Sequence, residues 1–261
     1  MVQGVSVNGV ILNAALAGPK DAPAIVFSNS LGTDLRAWDP LLPHLPEGWR
    51  HLRYDKRGHG LSSLPEEGWS IQDLADDLDA LMAAMGVETA VIVGLSVGGL
   101  IAQALATRHP SRVRALVLCD TAARIGTEQM WNDRIAAIEA GGIAALTDAT
   151  MERWFTPAFR AHAPGLEPWR NMMLRTPAAG YLATCRAIRD ADYRAEAARL
   201  TVPSLAICGE ADGSTPPELV RQTAELIPGC RFELIRDAGH IPCVEQPAAL
   251  GRVISGFLAS L

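Results

Sequence analysis

Lysine is nearly missing from this chain: Lys20 and Lys56 are the only two, and arginine supplies the rest of the 23 basic residues. Acidic residues number 29, which leaves a formal net charge of −6 and argues against nucleic acid as a partner. Cysteine is sparse as well. Cys119, Cys185, Cys208, Cys230 and Cys243 are odd in number, scattered, and form no C-x-x-C, so neither a disulfide framework nor a zinc ribbon is written here. No apolar run reaches the ~18–20 residues of a membrane span. The opening "MVQGVSVNGVILN" has no basic segment and no long apolar core, so no secretory leader is expected. Repeats and low-complexity tracts are missing too. The expectation is a cytoplasmic protein with no membrane and no nucleic-acid partner; oligomeric state is not legible.

What is present is an ordinary globular composition, 49% hydrophobic and 20% charged over 261 residues. A chain this long buries enough surface to fold without a metal or disulfide staple. "GVSVNGVILNAALAG" reads as two strands around an Asn8-Gly9 turn. "AIVFS" (24–28) and 49–55 read as the next strands. In "SIQDLADDLDALMAAMG", Ser70 caps a helix with Asp73 three residues on, and Ile71, Leu74, Leu78, Leu81 and Met85 share a face that ends at Gly86. A strand (90–94), a nearly all-apolar helix (97–109) and a strand (113–120) follow. Continuous apolar strands separated by helices predict a mostly parallel sheet covered on both faces. The pattern breaks near 121 and resumes near 202 with strand 203–210, a helix, a strand from 230 and a closing helix. The expected architecture is an α/β core, 1–121 and 200–261, of eight mostly parallel strands, with a helical lid inserted at 122–199.

Gly94-Leu95-Ser96-Val97-Gly98 is G-x-S-x-G between an apolar strand and a helix. A sharp turn there strains the serine backbone, needs glycine two residues to either side, and lifts the hydroxyl to a helix N-terminus. Ser96 is the expected nucleophile, and a serine needs a base. His44 and His51 flank the fourth strand, His109 precedes Pro110, His162 lies in the insertion, and His59 sits in a turn that suits a structural hydrogen bond. His240, in the loop after the last strand, shares the carboxyl edge of the sheet with Ser96. Asp212, after the preceding strand, is the expected acid; Glu210 and Asp120 remain rivals. Ser96, Asp212 and His240 then follow each other in the chain order of an α/β-hydrolase. The backbone N–H groups of Val97 and of Leu31, in "SNSLGTD", are the expected oxyanion donors.

These stretches, with "YDKRGHGLSS", "HPSRVRALVLCDTAARIGT" and "DAGHIPCVEQP", resemble the α/β-hydrolase superfamily over essentially the full length. Within it, "SNSLGTDLRAWD", "LCDTAARIGTEQMWNDRI" and "ERWFTPAF" resemble the 3-oxoadipate enol-lactonases of the β-ketoadipate route, although many relatives carry His-Gly in place of Asn29-Ser30. The resemblance implies hydrolysis of a small anionic lactone with no cofactor and no metal. A carboxylated substrate asks for a cation. Residues 122–199 balance at +1 and the remainder at −7, and Arg134 is the expected carboxylate partner, with Trp131 and Trp154 walling the pocket. Rival readings are a general carboxylesterase, a cofactor-free perhydrolase, and a non-enzymatic ligand receptor on the same fold. A serine in place of aspartate at the elbow disfavours a dehalogenase.

Overall fold

The computed structural model describes residues 2–261. The chain opens with β1 (Val2–Val7) and β2 (Val10–Ala17), an antiparallel hairpin whose Val7 pairs with Val10. Asn8 and Gly9 both take positive φ, 44° and 79°, as a two-residue turn of this kind requires. β3 (Ala24–Ser28) and β4 (Arg50–Tyr54) follow. β4 is a residue shorter at each end than the sequence suggests, and His51 lies within it rather than beside it. Just past its end, the Asp55 N–H still donates to the Asn13 carbonyl of β2, the next position in the β2–β4 register.

α1 (Ile71–Ala84) carries the expected capping box, with Ser70 accepting from the Asp73 N–H and Asp73 accepting from the Ser70 N–H. Ile71, Leu74, Leu78 and Leu81 are buried, but Met85 is the C-cap and only half-buried; Met82 fills the core in its place. β5 (Ala90–Leu95), α2 (Val97–Arg108) and β6 (Val113–Cys119) form the centre. All of β5 is buried, and so is α2 apart from its last two residues, which is why neither segment shows a polar face.

Between β6 and β7 (Ser204–Gly209) the chain is helical: α3 (Glu128–Gly141), α4 (Ala144–Trp154), α5 (Pro157–Arg160), α6 (Ala163–Leu174), α7 (Ala178–Arg189) and α8 (Arg194–Ala197). After β7 come α9 (Pro217–Leu226), β8 (Arg231–Ile235), α10 (Pro242–Glu245) and α11 (Pro247–Leu258). The eight strands form one sheet in the order β1-β2-β4-β3-β5-β6-β7-β8. β3 to β8 run parallel, and only the β1–β2 and β2–β4 pairings are antiparallel. The expected mostly parallel, eight-stranded α/β architecture is the one observed. No helix among the described residues is long and apolar enough to cross a membrane.

Candidate active site

Ser96 joins β5 directly to α2 with φ 56° and ψ −117°, a backbone conformation few side-chain-bearing residues adopt. Its N–H donates to the Cys119 carbonyl at 3.0 Å, which fastens the turn to β6. The flanking glycines are required by contact: a Cβ on Gly94 would strike the Gly98 carbonyl, and one on Gly98 would strike the Ser28 carbonyl of β3. The serine therefore sits at the carboxyl edge of the sheet, on the N-terminus of a buried helix. Val97 is the first residue of α2, and its N–H has no intrahelical acceptor.

β7 and β8 deliver the other two residues. Asp212 and His240 are 4% and 2% exposed, and Nδ1 of His240 lies 3.0 and 2.9 Å from the two Asp212 oxygens. An ionised carboxylate only accepts, so Nδ1 carries the proton and Nε2 is left basic. Asp212 is held in turn by the N–H groups of Ser214 and Thr215 and by the Thr215 hydroxyl. Burial works to raise the Asp212 carboxyl, but the facing His240 and these donors outweigh it and hold the group below the usual carboxylate range.

The two loops are sewn together and to the inserted helices. Ala211 N–H donates to Ala238 O, while the last carbonyls of α4, on Arg153 and Trp154, accept from the N–H groups of Gly213 and His240. Helix ends leave such carbonyls unsatisfied, and here the loops that carry Asp212 and His240 satisfy them. Glu245 adds a second tie, accepting from the Gly239 N–H and from the Thr156 N–H. Glu210, a rival acid in the sequence, is exposed and faces the Asp237 N–H instead. Asp120, the other rival, is fully buried close behind Asp212.

The loop after β3 is closed on itself. Ser30 O accepts from Thr33 N–H and Thr33 Oγ1, and Asn29 Nδ2 donates to Thr33 O, which leaves the Leu31 N–H out of the loop's own bonds. Beneath it lies Lys56, fully buried, donating to Ser30 O at 2.7 Å and Asn29 O at 3.3 Å. Burial lowers its ammonium from 10.5 to about 7, against the opposing pull of Asp55 and Asp34. Nothing in "YDKRGHG" announces this role; the scarcity of lysine is the one signal that singles the residue out. His59, next to it, is also fully buried and lies 3.3 Å from the Arg57 carbonyl, in keeping with a structural role.

A cavity of about 210 Å³ opens onto these groups. That falls below the ~300–1,000 Å³ of drug-sized sites, so it suits a small molecule. Ser96, His240 and Leu31 line it together with Trp131, Arg134 and Trp154. Asp212 stands behind His240, and Val97 is buried beneath the elbow. The lining also includes Arg153, which the sequence reading missed although it lies inside "ERWFTPAF". Arg134 and Arg153 both donate to Thr150 Oγ1, at 3.1 and 3.2 Å. Arg134 lies 5.7 Å from the Trp131 ring centroid and 5.8 Å from that of Tyr181. Its buried Nε has no partner. Burial and the neighbouring Arg134 both lower Arg153. No Asp or Glu lines the cavity, and neither arginine has an ion-pair partner among the described residues. The result is a small compartment that brings a hydroxyl and an imidazole together with two arginines that have no ion-pair partner among the described residues.

Asp120, Asp212 and His240 bring one potential metal-ligand atom each within 4.8 Å of one another. The Asp212 oxygens are already taken by three donors and the His240 N–H, so a cation there would have to displace that proton.

A family model described as the alpha/beta hydrolase fold matches residues 23–247. The chain is 38% identical to 3-oxoadipate enol-lactonase 1 of Acinetobacter baylyi, over 97% of this chain and 95% of that one. It is 34% identical to the same organism's 3-oxoadipate enol-lactonase 2, over 95% and 93%. The crystal structure of the enol-lactonase from Burkholderia xenovorans LB400 superposes with a TM-score of 0.95 at 39% identity, covering 98% of this chain and 100% of that one.

Proposed function

The chain belongs to the α/β-hydrolase family, and from that premise we propose that it opens the ring of a small carboxylated enol-lactone, with Ser96 as nucleophile, His240 as base and Asp212 as orienting acid. The chain is a carboxylic ester hydrolase. The lactone itself is proposed to be 3-oxoadipate enol-lactone, as in the two Acinetobacter relatives, which would place the reaction in aromatic catabolism. The observation that carries the proposal is the cavity: it joins the serine elbow to Arg134 and Arg153 with no carboxylate in its lining.

In the proposed reaction, Ser96 Oγ attacks the lactone carbonyl as Nε2 of His240 takes its proton. The tetrahedral oxyanion is met by the N–H groups of Leu31 and Val97, and each such donor is worth ~2.7–4 kcal/mol in the transition state. Collapse breaks the ring C–O bond and gives an acyl-enzyme whose enol stays tethered. His240 then activates water, and the released enol tautomerises to the ketone, giving 3-oxoadipate. An enol is a better leaving group than an alkoxide, so much of the protein's work is to hold the ring in place. The substrate carboxylate pairs with Arg134, and Arg153 stands beside it to share the charge. Trp131 and Trp154 flank the ring. Residues 122–199 act as the lid over a core of 1–121 and 200–261, with the end of α4 fixed to the acid and base loops.

The test is the loss of enol-lactone absorbance on adding enzyme, set against p-nitrophenyl acetate. A kcat/KM that favours the lactone by at least a hundredfold supports the reading. A preference for the neutral ester would replace it with a general carboxylesterase.

A further inference from the structure

A second carboxyl lies behind the His240–Asp212 pair. Asp120 follows β6 directly, while Asp212 lies three residues beyond β7; Asp120 takes an unusual φ of 48° and bonds the Gly209 N–H at the end of β7. It is completely buried. Its Oδ1 accepts from the Gly209 N–H at 2.8 Å, its Oδ2 makes no ordinary hydrogen bond, and the carboxyl faces Asp212 and the Cys208 thiol. Potential ligand atoms of Asp120, Asp212 and His240 lie within 4.8 Å of one another. The tie to β7 uses Oδ1 alone, so the second oxygen of this buried carboxyl, grouped with Asp212 and His240, holds no structural bond to the sheet.

We propose that Asp120 is a second acid for His240, held in reserve behind Asp212. The assignment rests on the reading of Ser96, His240 and Asp212 given above. Two carboxyls this close in a buried site cannot both ionise, so the charge resides on one of them. Asp212 takes it, because four donors converge on that carboxylate. Asp120 keeps its proton: burial, and then the negative charge of Asp212, push it well above the usual carboxylate range. The other titratable groups facing Asp120 are the thiols of Cys119, Cys208 and Cys243, each pushed up by burial and therefore neutral. Removing the Asp212 carboxylate withdraws the repulsion and opens space beside His240. Asp120 then loses its proton to solvent, and its Oδ2 accepts the Nδ1–H that Asp212 held. It is a positioning residue, acting on the reaction through His240.

The experiment is a double-mutant cycle on the enol-lactone: Asp212→Ala, Asp120→Asn, the double variant, and Ser96→Ala as the floor. Asparagine has the shape of a protonated aspartate and still accepts from the Gly209 N–H, but it cannot ionise, so it leaves the tie to β7 in place. An acid with no substitute costs ~10⁴-fold in kcat when lost. With Asp120 in reserve, Asp212→Ala should cost only about a hundredfold, and adding Asp120→Asn should cost about a hundredfold more. In the presence of Asp212 the same Asp120→Asn change should cost less than tenfold. Equal costs of Asp120→Asn in both backgrounds would assign Asp120 a purely structural role and overturn the proposal. So would an Asp212→Ala rate already at the Ser96→Ala floor. A Ser96→Ala variant as active as the wild type would instead overturn the nucleophile assignment on which the proposal rests. Thermal melting of each variant separates lost chemistry from lost fold.

Discussion

Replacing Arg134 by methionine tests the cationic part of the cavity most cleanly. The arginine touches the site in three ways: its guanidinium lies against the rings of Trp131 and Tyr181, it bonds Thr150, and its Nε is buried with no partner. Methionine keeps an apolar stem against both rings and removes only the charge and its donors. A charge-assisted hydrogen bond is worth ~1.5–3 kcal/mol, or a factor of roughly 10–150 at 1.36 kcal/mol per decade. Arg153 shares Thr150 with Arg134 and retains part of the attraction, so KM for the enol-lactone should rise about 10–50-fold with kcat within about threefold. KM for p-nitrophenyl acetate, which is neutral, should move less than twofold. Steady-state kinetics on both substrates reads this directly. Equal changes for the two substrates would mean that Arg134 shapes the cavity without binding charge, and the carboxylate assignment would fall.

Other substitutions probe the elbow and the loop beneath it. Ser96→Gly should be inactive yet more stable than Ser96→Ala by about 1–2 kcal/mol, because glycine relieves the positive φ; a higher melting temperature for Ser96→Ala would contradict the strain. Gly98→Ala should cost at least about 1–3 kcal/mol, since the new methyl meets the Ser28 carbonyl; urea unfolding at wild-type stability would show that the turn can yield. Lys56 gives a pH signature. Between about pH 7 and its ordinary 10.5, the unfolded chain holds a proton that the native chain has released, so native stability rises with pH across that window, by up to ~1.4 kcal/mol per unit. Urea unfolding at pH 7.5 and 9.5 should show that gain in the wild type and lose most of it in Lys56→Met; identical slopes would refute the lowering of the buried Lys56.

The sheet and the elbow were legible because they rest on local rules. Asn8-Gly9 demands a hairpin, Ser70 and Asp73 demand a helix start, and G-x-S-x-G between an apolar strand and an apolar helix demands a turn that only glycine neighbours permit. The order Ser96, Asp212, His240 then placed three side chains on one sheet edge. What stayed hidden depends on packing between distant segments. The pairing of Arg134 with Arg153 arises where α3 and α4 meet over Thr150. Lys56 turns inward only because the Asn29 and Ser30 carbonyls lie above it. The capping of α4 by Gly213 and His240 joins segments about 60 and 86 residues apart, and no local pattern marks such a contact.

The most direct test of the account is turnover of the enol-lactone by Ser96→Ala, followed by loss of lactone absorbance, with the melting temperature as a check on the fold. The account predicts a kcat lower by at least about 10⁴-fold in a protein that melts within a few degrees of the wild type. A folded Ser96→Ala enzyme that kept more than about one per cent of the wild-type rate would contradict it, because the oxyanion donors and His240 alone supply no nucleophile for an acyl-enzyme.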